Sequence, residues 1–230
     1  GDVNNDGRDD IITFLHDINA GRGEVYVALS SGDRFGESSV WHPWFCIRTE
    51  VCAVGDVNGD GSADIVTFIR ETPDQNTAYT HGTVAVALST GASFTPHTPA
   101  PIWHSDFCQP NQNCFVANFN GVDGDGRSRS DVIKIEAGSM LGALSSGNGF
   151  GDVETIGPSP CVGAGGKPCD IRVDDYNNDG RDDLLAVVYK NPGSKCGRVY
   201  LALAANGGYD QPQDTGEEFC RVHTTNLAGN

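Results

Sequence analysis

Four segments of this sequence set oxygen-bearing side chains at alternate positions around a glycine. They are Asp2-Val-Asn-Asn-Asp-Gly-Arg-Asp-Asp10, Asp56-Val-Asn-Gly-Asp-Gly-Ser-Ala-Asp64, a longer irregular version from Asn118 to Asp131, and Asp175-Tyr-Asn-Asn-Asp-Gly-Arg-Asp-Asp183. Carboxylate and amide oxygens spaced by two residues, with a glycine allowing a tight turn, are what a hard divalent cation requires. Asp2, Asn4, Asp6, the Arg8 carbonyl and Asp10 would form the first site. By the same offsets the second is Asp56, Asn58, Asp60, the Ser62 carbonyl and Asp64, and the fourth is Asp175, Asn177, Asp179, the Arg181 carbonyl and Asp183. The third loop offers Asn118, Asn120, Asp123, Asp125 and Asp131, with Gly121-Val122 and Arg127-Ser-Arg-Ser130 as insertions. No glutamate closes a twelfth position (Thr13, Thr67 and Ala186 stand there), so these are not EF-hands. Without a cation the crowded carboxylates repel. The expectation is up to four calcium ions in a structural role, with metal binding coupled to folding.

The elements that position these loops repeat with them. Each loop runs into an apolar stretch (Ile11–Phe14, Ile65–Phe68, Val132–Ile135, Leu184–Val187), then a second (Val25–Leu29, Val84–Leu88, Met140–Leu144, Val199–Leu203), then a turn and an aromatic: Phe35, Phe94, Phe150 or Tyr209. Short strands in four repeats without helical periodicity predict an all-β fold. The loop starts lie 54, 62 and 57 residues apart. Counting on from Asp175 through the C-terminus to Asp2 gives a similar interval. Phe219-Cys220 also matches Phe45-Cys46 and Phe107-Cys108. This predicts a β-propeller of four-stranded antiparallel blades, closed where the C-terminal strand joins the N-terminal blade. The repeats are 1–46 plus 221–230, 47–108, 109–161 and 162–220, in one domain spanning 1–230.

The loop motif, the apolar strand and the Val-x-Val-Ala-Leu-Ser-x-Gly…Phe-Gly segment resemble FG-GAP/VCBS-type repeats. That resemblance implies a calcium-binding β-propeller like the integrin α-subunit head and several fungal and bacterial lectins. Phe35-Gly36 and Phe150-Gly151 keep the Phe-Gly pair, while Phe94-Thr95 and Tyr209-Asp210 depart from it. The family's usual blade number is larger, commonly seven.

Composition narrows the partners. With 15 Lys+Arg against 31 Asp+Glu, the 230-residue chain carries a formal charge of -16. Nucleic-acid binding needs clustered cations, so it is excluded. Four calcium ions would halve the net charge. No apolar run is long enough for a membrane-spanning helix. The opening Gly1-Asp2 reads as a mature or trimmed chain. Eight cysteines, none in a Cys-x-x-Cys pair, predict disulfides 46–52, 108–114, 161–169 and 196–220, and hence a secreted, extracellular protein. No N-glycosylation sequon occurs.

The face opposite the Asp loops holds the blade-to-blade connections, the close cysteine pairs and hairpins of varied length, the longest from Arg70 to Gly82. Loops of that kind on a rigid scaffold suit recognition. Trp41-His42 and Trp103-His104 stand at equal distances before Cys46 and Cys108, with Trp44 close by. Together with His81 they are candidate ligand contacts, a ring stacking on a sugar face while an imidazole bonds a hydroxyl. The competing reading has the tryptophans filling the wedge between blades. No His-Glu-x-x-His, Gly-x-Ser-x-Gly or phosphate loop is present. The sequence therefore points to a non-catalytic, carbohydrate-binding (lectin-like) module. The alternatives are a secreted hydrolase or polysaccharide lyase working from the propeller face, and a protein-adhesion module.

Overall fold

The structure is a computed structural model, and it describes residues 1–16, 22–70, 79–96, 99–110, 112–136, 138–161, 169–191 and 193–220. Among the described residues every regular element is a strand, and the sheets are antiparallel blades of a four-bladed β-propeller. The first blade holds β1 (Ile11–Phe14), β2 (Val25–Ala28) and β3 (Ser39–His42). The second runs β4 (Val51–Gly55), β5 (Asp64–Ile69), β6 (Gly82–Ser89) and β8 (Ile102–Cys108), with β7 (Phe94–Thr95) extending the end of β6. The third is β9 (Asn113–Ala117), β10 (Asp131–Glu136), β11 (Ser139–Ala143) and β12 (Glu154–Pro158). The fourth is β13 (Cys169–Asp174), β14 (Asp183–Tyr189), β15 (Cys196–Ala202) and β18 (Gln213–Cys220), with a small hairpin of β16 (Ala204–Ala205) and β17 (Gly208–Tyr209). Residues 221–230, the expected closing strand, lie outside the described residues, as do 71–78 of the longest hairpin.

Strand pleat explains the packing. In β5 every residue is buried, because alternate side chains face the blade before and the blade after. Ile65 points back toward Val25, Val27 and Trp41 of the first blade, while Val66 and Phe68 point forward toward Val132 and Phe150 of the third. Three such apolar layers are built, between blades one and two, two and three, and three and four. Among the described residues there is no fourth layer.

All eight cysteines are paired, as 46–52, 108–114, 161–169 and 196–220. The first three join the end of one blade's outer strand to the inner strand of the next, and the fourth ties β15 to β18 within its own blade. No helix among the described residues is long and apolar enough to cross a membrane.

Candidate functional sites: the Asp loops and an inter-blade pocket

The three regular loops share one hydrogen-bonding pattern. Asp2 Oδ1 accepts the Asp6 N–H at 3.1 Å and its Oδ2 the Gly7 N–H at 2.7 Å. Asp56 does the same for Asp60 and Gly61, and Asp175 for Asp179 and Gly180. The fifth-position carboxylates Asp6, Asp60 and Asp179 each accept the N–H two residues on. Left-handed backbone at the fourth position (Asn5, Gly59, Asn178) and the sixth (Gly7, Gly61, Gly180) winds the loop so that its oxygens converge. Asparagine and glycine tolerate that conformation best.

The ninth-position aspartate does a second job. Asp10, Asp64, Asp131 and Asp183 are buried, and each accepts an N–H at or two residues beyond the end of the second strand: Ser30, Ser89, Ser145 and Ala204, at 2.7–2.8 Å. Burial pushes the Asp64 carboxyl up to about 7 and the Asp131 carboxyl up to about 8, and raises Asp183 too. The second oxygens of Asp131 and Asp183 are buried with no protein partner. In Asp10 and Asp64 the second oxygen accepts the N–H of Val3 and Val57, so this aspartate ties the loop to its own second residue as well as to the strand.

The third loop is built differently. Its first position is an amide, Asn118, and its inserted segment folds Arg129 inward. The Arg129 guanidinium, only 9% exposed, meets Asp123 at 2.7 Å and Asp125 at 2.5 Å. Its Nε–H also reaches the Asn58 carbonyl of the second loop at 3.3 Å. Asp123 and Asp125 are therefore already neutralised in part by the chain's own cation, leaving Asn120 Oδ1 and Asp131 Oδ2 as unpartnered donors. The sequence reading had counted all five oxygens as available.

The loops are also stitched to each other. The carbonyl at each first position accepts an N–H from the eighth residue of the next regular loop or its counterpart: Asp2 from Ala63, Asp56 from Ser130 and Asn118 from Asp182, all at 2.7 Å. Ser89 and Ser145 hydroxyls add bonds to the Val3 and Val57 carbonyls at 2.5 Å.

At the outer strands, both tryptophans of the repeated Trp-His pairs fill the wedge between blades. Trp41 is buried against Phe94 with ring centroids 5.4 Å apart, and Trp103 against Phe150 at 5.3 Å. His42 is fully buried; its Nδ1 accepts the Trp44 N–H and its Nε2–H donates to the Pro96 carbonyl, both at 3.2 Å. Trp44 is partly exposed beside Gly23. His81 is exposed and bonded to the Arg70 carbonyl. His104 is half-buried, its Nδ1 accepting the Asp106 N–H at 3.1 Å, which leaves Nε2–H outward. It lines an open pocket of about 500 Å³ with Ile102, Trp103, Ser105, Phe150, Gly151 and Asp152. Desolvation holds the His104 imidazole below its ordinary value, with Lys134 adding to it and Asp106 and Asp152 opposing. Ser105 and Asp152 were missed from sequence, since Asp152 belongs to the following repeat. The one signal is that Phe150-Gly-Asp152 stands where repeat two has Phe94-Thr-Pro96.

His16 lies 3.1 Å from Cys52 Sγ, but both sulfurs of that cluster are spent in the Cys46–Cys52 disulfide and are not thiolate ligands.

Residues 2–67 match the FG-GAP-like repeat family. That stretch holds the first repeat and, of the next, the first strand, the loop and most of the second strand. Comparison with curated protein sequences found no match. Among solved structures, the chain resembles a lectin from Agrocybe aegerita that recognises non-reducing terminal N-acetylglucosamine, with a TM-score of 0.61 and 23% identity. The match covers 93% of this chain and 50% of that one, so the chain spans about half the length of that lectin. A match to the Photorhabdus luminescens Tc holotoxin pore has a TM-score of 0.35 and 14% identity, covering 95% of this chain and 12% of that one. At 23% identity the likeness to the lectin is one of fold.

Proposed function

We propose that this protein is a secreted, calcium-stabilised propeller that binds carbohydrate without catalysing a reaction. The pocket at His104 carries the reading. It offers an imidazole N–H, the Ser105 hydroxyl and the Asp152 carboxylate beside the aromatic wall of Phe150 and Trp103. A few converging donors and acceptors against an apolar wall suit a sugar ring with adjacent hydroxyls. The lectin neighbour supports this reading through its fold, and four disulfides are compatible with an extracellular space.

Calcium would be held by Asp2, Asn4, Asp6 and Asp10, by Asp56, Asn58, Asp60 and Asp64, and by Asp175, Asn177, Asp179 and Asp183. It would supply charge beyond the single arginine that pairs with Asp6 in loop one and the one that pairs with Asp179 in loop four, and loop two has no such arginine. Loop three, with Arg129 in place, is the weakest fourth site.

A glycan array with His104→Ala and Asp152→Asn beside the wild type tests the sugar site. Binding lost in both variants supports it; binding retained in both, or no glycan held by the wild type, refutes it. A thermal melt in excess chelator tests the cations separately, and a marked fall in Tm is expected.

A further inference from the structure

The two end blades each present a half-built copy of the layer that joins the other blades. In repeat order Ile11 corresponds to Ile65, Val132 and Leu184, which are fully buried, yet Ile11 is 45% exposed. Phe35 corresponds to Phe94, Phe150 and Tyr209, all buried against the preceding blade, and is 49% exposed. At the other end Tyr176 corresponds to the buried Val3, Val57 and Phe119 but is 43% exposed. Phe219 corresponds to the buried Phe45 and Phe107 and is 59% exposed. Beside it Leu185, Val187 and Val199 line an apolar groove of about 270 Å³ with Tyr189, Arg172 and Asp170. Their counterparts Val66, Phe68 and Val84 are sealed under the third blade.

The polar seam is duplicated as well. Asp9 N–H and the Asp175 carbonyl occupy the positions that form the 2.7 Å loop-to-loop bonds elsewhere. Ser30 has the place of Ser89 and Ser145, whose hydroxyls bond the carbonyls of Val3 and Val57. Like theirs, its hydroxyl oxygen accepts the N–H two residues on. The carbonyl it would reach is that of Tyr176.

We propose that the fourth blade of one copy packs onto the first blade of a second copy, head to tail, repeating the inter-blade layer between chains. A second copy is chosen as the occupant because the two end faces match each other position for position as the built layers do, and among the described residues nothing covers Ile11, Phe35, Tyr176 or Phe219. The contact is heterologous, so two copies that close on each other satisfy every end. Eight blades lie within the range that propellers adopt. Large apolar groups otherwise left in water supply the drive.

The test uses light scattering on the whole chain and on Phe35→Glu and Phe219→Glu, each side chain exposed enough that the single chain should fold around the change. Expected are a wild-type mass twice the chain's 24.3 kDa and single-chain mass for each variant, with unchanged circular dichroism. Mixing the two variants should restore a two-chain species, since each retains the end the other lacks. A wild type of single-chain mass, a variant that still pairs with itself, or a mixture that stays single would each overturn the proposal. Closure within one chain would give the first of these results.

Discussion

Trp41-His42 and Trp103-His104 are the same two residues at the same place in consecutive repeats, and they end in opposite states. Both tryptophans are wedges, packed at a tilt against the aromatic of the next blade. The histidines share an Nδ1 bond to a backbone N–H and an edge contact to a phenylalanine, Phe45 or Phe107. What separates them comes from the neighbouring blade. After Phe94 the chain places the Pro96 carbonyl on His42 Nε2; after Phe150 it places Gly151 and Asp152 around an opening at His104. A repeated motif is thus covered by the neighbouring blade in one copy and borders an open pocket in the other.

The sharpest way to break that comparison is to remove both rings. His42→Ala leaves the Trp44 N–H and the Pro96 carbonyl unpaired beside a cavity, and should cost about 2–4 kcal/mol in denaturant unfolding. His104→Ala should cost less than about 1 kcal/mol there, yet reduce glycan affinity at least about tenfold. Equal stability losses would mean that His104 is a core residue like its twin. Asp152→Asn should weaken sugar binding by a smaller factor, about three- to tenfold, with no change in Tm; isothermal titration on an array hit measures it. The smallest effect concerns pH. Because burial lowers the His104 pKa, the fold prefers the neutral ring. That contribution is complete above the unfolded value near 6.5 and is lost as pH falls through the lowered folded value. The Tm difference between wild type and His104→Gln should therefore shrink on acidification. A difference that grows instead would reverse the assigned shift.

Chelation sets the Asp loops against each other in the same spirit. Loop two has no arginine of its own, whereas Arg129 already sits between Asp123 and Asp125 in loop three. Asp60→Asn should lower the calcium-dependent part of Tm more than Asp123→Asn, measured as the melt with calcium minus the melt in chelator. The reverse order would show that Arg129 does not stand in for the ion.

Much of this was readable from residues alone. The blades follow from apolar stretches of strand length between Asp loops, and the disulfides from cysteines recurring at the blade junctions. The regular loops follow from oxygen spacing, because their pattern is local. What escaped depends on contacts far apart in sequence. Nothing around His42 reveals that Pro96 will cover it, and nothing around His104 reveals Asp152. Arg129 looked like part of an insertion, and only the folded loop turns its charge inward. The exposure of Ile11 was hidden too, since Ile11 and Ile65 read alike in sequence and only Ile65 is buried by a neighbouring described blade.

The cysteine pairs at the blade junctions also bear on resistance to proteolysis. A protease cutting between Cys46 and Cys52, Cys108 and Cys114, or Cys161 and Cys169 would sever the backbone at the connection between two blades. Each disulfide bridges such a cut, so the nicked molecule stays in one piece until it is reduced. The connections can then vary in sequence, and even be clipped, while the ring surface they border keeps its shape.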